Sequence, residues 1–375
     1  MSTKVCLLAN TINCPKLGGH LWAYLNWALG LRALGCDVVW MEAVPADEAP
    51  EELERQFSQL KTKLSKYGLG GSLALCSPDG ELASKPAGQP VDFREAVEAD
   101  LLLNIAYAKI NAAAIQRFRR SVLVDIDPGL TQTWVSERHF SLAPHDFYVT
   151  IGENVGAARS AFPDCGIRWH HTRPPVFLPE WPVTAAGASA GYTTVTHWGH
   201  AWLEFRGVSR PNGKREAFLP FLDLPRHTPA PLEIAVVLDG YEDERTKLEQ
   251  FGWRVRDGHA TTPTPWDYQD YVRSSRGEFS CAKPAYVLFD TAWVSDRTLC
   301  YLASGKPAVV QYTGPSRFLP DGEGLFRFRT FDEAARALSV AEADYDRHCR
   351  AARALAEEYF DAGKIVGSLL ELALS

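Results

Sequence analysis

Short apolar runs alternate with segments whose apolar residues recur at helical spacing, and the alternation continues along most of the chain. Residues 4–10 are apolar and β-prone and read as a first strand. The next segment, HLWAYLNWALGLRALG from His20, sets Leu21, Leu25, Ala28, Leu31 and Leu34 on one helical side, with Gly35 as the stop. Residues 36–41 form the second strand. Helices follow at 51–67, 93–99 and 111–118. Strands are expected at 101–106, 121–126, 147–151 and 167–170, with a short one at LALC. From residue 192 the pattern resumes, with strands at 192–197, 232–238, 253–256, 286–289, 308–312 and 325–328. Helices are expected at 214–222, 243–251, 266–274 and 296–303, and another from 331 to 338. Residues 344–374 read as almost continuous helix, interrupted near 361–363.

Strands and helices in strict alternation, with apolar strands, predict parallel sheets covered on both faces. The stretch HTRPPVFLPEWPVTAAGASAGY, starting at His171, is rich in Pro, Gly, Ala and Ser and marks a domain boundary. The fold class expected is α/β, with two doubly wound parallel-sheet domains facing across a cleft. The domains are expected at residues 1–182 and 190–349. Residues 350–375 either close the second domain or cross back to complete the first.

Composition narrows the partners. The chain has 375 residues, 46% of them apolar, and a net charge of -7 without a basic stripe, which argues against nucleic acid as a partner. None of the eight cysteines forms a CxxC pair, so they read as free thiols in a reducing compartment. The first residues do not have the arrangement of a secretory signal. No uncharged run reaches the roughly 20 residues that cross a bilayer. A soluble, cytoplasmic protein is expected.

Candidate chemistry gathers at strand ends. Ser295 is a suitable N-cap for the 296–303 helix, whose free N–H groups favour phosphate. Arg297 has the geometry for paired hydrogen bonds to a diphosphate. Asp296 repels an anion and reads instead as a support for Arg297 or for the helix dipole. Read alone, this stretch describes either a capped helix or an anion site. Lys283, before Pro284, is either solvated or a positive contact to phosphate. Gly18 and Gly19 allow close approach of a ligand between a strand and a helix, but no Walker A or GxGxxG pattern surrounds them. Asp125 and Asp127 end a strand; they read as strand termination, as groups that orient His20 or bind acceptor hydroxyls, or as oxygen ligands for Mg²⁺. His197 and His200 flank the expected interdomain cleft, while the remaining histidines form no metal-binding spacing.

The stretches GEFSCAKPAYV, WVSDRTLCYLASGKPAVVQYTG and LPDGEGLFRFRTFDEA resemble the donor-side half of a GT-B glycosyltransferase, of the bacterial family-1-type and spore-maturation CgeB-like branch. The resemblance is clearest over residues 266–338. It implies that a nucleotide diphosphate sugar binds mainly to the C-terminal domain and an acceptor mainly to the N-terminal one, with no cofactor and no metal. It further implies that Ser295, Asp296 and Arg297 line the sugar-diphosphate side, that Ser280 and Lys283 stand near the same anion, and that Gln311, Thr313 and Gly314 face the cleft. His20 resembles by place the base of inverting members, and a neutral imidazole there would take the acceptor's proton, oriented by Asp127. Many retaining members carry Glu at the positions of Ala292 and Cys300, and this chain has neither. The function expected is glycosyl transfer to a small-molecule or glycan acceptor, with inversion. The alternatives are a nucleotide-sugar epimerase and a non-catalytic sugar-nucleotide-binding protein.

Overall fold

The computed structural model describes residues 2–82, 85–158, 160–187, 189–199 and 201–375. Two parallel sheets carry the chain. The first has seven strands: β1 (Lys4–Ala9), β2 (Asp37–Ala43), β3 (Leu73–Cys76), β4 (Leu101–Asn104), β5 (Ser121–Asp125), β6 (Phe147–Thr150) and β7 (Trp169–His171). Their order is β3-β2-β1-β4-β5-β6-β7. The second sheet is built from β8 (Tyr192–His197), β11 (Leu232–Val237), β12 (Arg254–Asp257), β13 (Gly277–Ser280), β14 (Ala308–Gln311) and β15 (Leu325–Phe328), in the order β12-β11-β8-β13-β14-β15. An antiparallel hairpin, β9 (Trp202–Phe205) with β10 (Val208–Pro211), is inserted after β8.

In each large sheet the strand order reverses next to the first strand, between β1 and β4 and between β8 and β13. Crevices open at such switch points, beyond the carboxyl ends of the strands. The central strands are mostly apolar because both faces are covered. Val5 to Ala9 and Leu101 to Leu103 are all fully buried.

The Gly18–Ala33 helix joins the two halves. It is apolar on nearly every side, and both domains use it. A Cβ on Gly18 would lie 2.0 Å from the Thr264 carbonyl oxygen, and one on Gly19 would lie 2.6 Å from the Tyr268 ring. The absence of side chains there lets the Pro265–Ser274 helix of the second domain pack directly on the first. Trp22 Nε1 then donates to the Pro265 carbonyl at 2.7 Å. On its other side, Gly30 accommodates Ala362 of the last helix, Ala362–Leu374. After the Tyr345–Tyr359 helix, Phe360 and Ala362 exchange backbone hydrogen bonds with Val176, at 2.7 and 3.0 Å.

One expected strand is corrected. Residues 286–289 belong to the Pro284–Leu288 helix and its end. Pro284 holds the first helical position, where its fixed φ favours the turn. The place between β8 and β14 is filled instead by GEFS, the start of the same stretch.

Candidate functional site

A cavity of about 440 Å³ lies between the two switch points. Of the residues singled out in the sequence, Gly19, His20, Asp127, His197, Lys283, Ser295, Asp296 and Arg297 all border it. His200 lies outside the described residues. Ser280, Gln311 and Thr313 do not reach the cavity. They edge a neighbouring space of about 20 Å³, behind Ser295 and Arg297. Gln311 accepts from the Ala282 N–H at 3.0 Å and Thr313 donates to the Trp293 carbonyl at 2.6 Å, so both brace the loop that carries Lys283 and Trp293. Gly314, at φ +126°, stands where a Cβ would meet the Asp290 carbonyl at 2.4 Å; its role is that turn. The Gly18 amide is also committed, donating to Thr262 at 3.0 Å across the domains. The glycine pair therefore serves interdomain packing, and the Gly18 N–H cannot cradle a phosphate.

The second domain supplies the charged wall. Ser295 caps the Asp296–Ala303 helix, accepting from the Arg297 N–H at 3.3 Å. Arg297 Nε donates to Glu278 Oε1 at 2.8 Å and its Nη1 to the Val195 carbonyl at 3.0 Å. Glu278 lies in the middle of β13 with its side chain fully buried, and its Oε2 has no hydrogen-bond partner. Lys214, at the start of the Lys214–Phe218 helix, is buried and donates to the Cys281 carbonyl. Burial, reinforced by Arg297, pushes its amine down to about 7. Lys214, Lys283 and Arg297 thus form a cationic group around the loop after β13. Burial holds His197 below the usual imidazole value, with His259 adding to the effect. Burial raises Asp296 above the usual carboxylate value, against the pull of Arg297 and His20.

The first domain supplies a mostly apolar wall with one carboxylate. Asp125 is buried and fully used: it accepts from Thr131 at 2.7 Å, Gln132 at 2.8 Å, Thr150 at 2.8 Å and the Asp127 N–H at 3.1 Å. Those bonds fix the turn after β5 and leave its oxygens to structure. The turn projects Asp127 into the cavity, where Tyr286 from the second domain donates to Oδ1 at 2.5 Å. Tyr286 is stacked on Trp293, 4.2 Å between centroids. The Tyr107 hydroxyl accepts from the Ile126 and Asp127 amides, each at 2.9 Å. Tyr107 has φ 55°, a left-handed conformation that is strained for a bulky residue.

His20 and Asp127 do not form the expected dyad. His20 Nε2 lies 2.7 Å from the Asn10 carbonyl, which can only accept, so Nε2 carries a proton. Burial disfavours a charged ring, but Cys14, the Asn10 carbonyl and Asp296 outweigh it and raise His20 to about 8. These contacts favour the charged ring over the neutral one that a general base requires.

His145, His171 and Cys300 have structural surroundings. His145 bonds to Ala143 and Asn104, and His171 to Val155. Cys300 is buried with Sγ 3.4 Å from the Asp296 carbonyl, a core position. Sequence reasoning missed Glu278, Lys214, Tyr107 and Tyr286. The signal for Glu278 was a lone acid inside an otherwise apolar β-run, which requires a buried partner.

No protein-family model and no curated protein sequence matches this chain. Solved structures match over nearly the whole length. The chain is similar to Alr3699/HepE of Anabaena, solved with UDP-glucose, at 13% identity, a TM-score of 0.57 and 98% coverage of both chains. It is similar to sucrose-phosphate synthase of Thermosynechococcus elongatus, at 10% identity and a TM-score of 0.55 over 99% of this chain and 98% of that one. It is also similar to AviGT4, a glycosyltransferase of avilamycin A biosynthesis, at 15% identity and a TM-score of 0.53, covering 98% and 96%. At these identities the finding concerns the fold: two parallel-sheet α/β domains in the GT-B arrangement.

Proposed function

We propose that this protein transfers a glycosyl group from a nucleotide diphosphate sugar to a hydroxyl acceptor. The observation that carries the reading is the pair of cations Lys283 and Arg297 beside the Ser295-capped helix start, on the cavity between two switch points, with Lys214 buried nearby on the Cys281 carbonyl. Fixed cations and free helix N–H groups are what a departing diphosphate requires, because its charge grows as the bond breaks. The shared fold with proteins solved holding UDP and UDP-glucose supports the same reading. The narrower kinship with the CgeB-like branch rests on residues 266–338.

In the reaction, the acceptor oxygen forms a bond to the anomeric carbon and loses its proton. The bond from that carbon to the phosphate oxygen breaks, and its electron pair leaves with the nucleoside diphosphate. We assign the proton acceptor to Asp127, which borders the cavity opposite Lys283, while His20 donates its Nε2–H to the Asn10 carbonyl. His20 instead contributes positive charge near Asp296. The expectation of inversion rested on His20 as base, so the anomeric outcome is decided by NMR of the product. Closure of the two domains around the site excludes water.

The direct test is titration of purified protein with UDP, GDP, ADP, CMP and dTDP sugars. Saturable binding of one nucleotide diphosphate, weakened about tenfold in Lys283→Ala, is the expected outcome. Absence of binding across the panel by folded protein overturns the reading.

A further inference from the structure

The cavity is chemically divided, and the division specifies the acceptor. Trp27, Ile105, Ile126, Ile151, Pro174 and Pro175 give the wall opposite Lys283 and Arg297 a large apolar share. They stand at the carboxyl ends of the first sheet, on the Gly18–Ala33 helix and on the linker. The Asn10 carbonyl is bonded to His20, and the Tyr107 hydroxyl takes two backbone amides and donates to Asp127 Oδ2 at 3.3 Å. Among the described residues, Asp127 is the one carboxylate on this side of the cavity. A carboxylate has about four lone-pair sites, so beside its bonds from Tyr286 and Tyr107 it retains capacity for a ligand hydroxyl.

Size points the same way. The whole cavity, donor side included, is about 440 Å³, near the lower end of the ~300–1,000 Å³ range for sites that take one small ligand. A sugar chain would bring many hydroxyls to this wall, and each left unbonded would cost about 1–3 kcal/mol. An apolar body with a single hydroxyl gains from burial instead, at roughly 25 cal/mol per Å² of apolar surface removed from water.

We infer that the acceptor is a small, mainly apolar or aromatic molecule that carries its reacting hydroxyl to Asp127, rather than a glycan. This inference rests on the glycosyl-transfer reading and deepens it. Tyr286 reaches Asp127 Oδ1 from the opposite domain, while Tyr107 of the same domain donates to Oδ2, so the hydroxyl-binding carboxylate is held from both sides of the cavity.

The test uses the full chain and three probes, followed by ligand-observed NMR and tryptophan fluorescence: 2-naphthol, 2-methoxynaphthalene and maltotriose. The expected result is saturable binding of 2-naphthol, at least tenfold tighter than 2-methoxynaphthalene, with no saturation by maltotriose. Asp127→Ala abolishes the preference for the hydroxyl. Ile126→Asn, checked for folding by circular dichroism, weakens both naphthalenes while leaving Asp127 in place. Tighter binding of maltotriose than of 2-naphthol, or no binding of 2-naphthol by folded protein, overturns the inference. Titration of the same samples with UDP separates the two levels. Loss of nucleotide binding counts against glycosyl transfer, whereas nucleotide binding with maltotriose preferred counts against the acceptor class alone.

Discussion

At the ends of β4, β5 and β6 the first sheet presents Ile105, Ile126 and Ile151 to the cavity, whereas the ends of β8 and β13 bring Thr196, His197 and the Lys283 loop. The two sheets share a doubly wound design and reverse strand order at equivalent places. What differs is the chemistry set on equivalent loops. One wall suits an anion that gains charge, the other an apolar body with one hydroxyl. The fold supplies the crevice, and the loop residues decide what each side holds.

The charged wall is the more fragile, which gives the largest expected effect. Arg297→Ala leaves Glu278 buried without its partner and is expected to destabilise the protein by about 3–5 kcal/mol, measured by urea unfolding. The double change Arg297→Met with Glu278→Gln removes both charges and should recover most of that stability without recovering nucleotide binding. If both variants unfold alike, the pair is not the cause.

On the apolar wall, Asp127→Asn is expected to lower the transfer rate by about 10²–10⁴-fold, the range for loss of a general base. Nucleotide affinity should stay within twofold. A parallel loss of nucleotide binding would show that the two walls are not separable.

Lys214→Met separates stability from binding on the charged wall. It replaces a buried amine with an apolar chain of similar length, so thermal stability should hold or rise, while nucleotide diphosphate affinity falls about tenfold. The pH dependence follows from the amine's depressed value of about 7. The protonated form attracts the diphosphate, and its fraction falls as pH rises through 7. Affinity of the unaltered protein should therefore weaken between pH 6 and 8, and calorimetry of Lys214→Met should lack that slope.

An effect smaller than that of Asp127→Asn is expected where the walls meet. Tyr286→Phe removes one donor to Asp127, a bond worth about 1.5–3 kcal/mol to a charged group. The transfer rate should fall about 10- to 100-fold with nucleotide affinity unchanged. An equal loss in Asp127→Asn and in the double variant would establish that the two act as one unit.

The alternation of elements was legible because it is a local property. Residues 296–303 were recognised as a helix from a cap and a period, and the structure gives Asp296–Ala303. The run YVLF was misread as a strand because its β-prone composition outweighed a single Pro284, whose φ favours a helix start. Site residues followed the same rule. Ser295 and Arg297 announce themselves through a helix start, and Asp127 through a strand end. Glu278 with Arg297, and Tyr286 with Asp127, are made by residues 19 and 159 positions apart, a proximity that only the folded chain creates. His20 lies beside the cavity, but the shift of its ring was not legible. That shift depends on Cys14 and the Asn10 carbonyl, and on Asp296 brought in from the second domain.

The central claim, a charged donor wall facing an acceptor wall that holds one carboxylate, is tested most directly by isothermal titration of nucleotide diphosphate sugars into the unaltered protein and into Lys283→Ala and Asp127→Asn. The account predicts saturable binding, weakened about tenfold by Lys283→Ala and unchanged within twofold by Asp127→Asn. Binding that is insensitive to Lys283 and lost with Asp127 would contradict it.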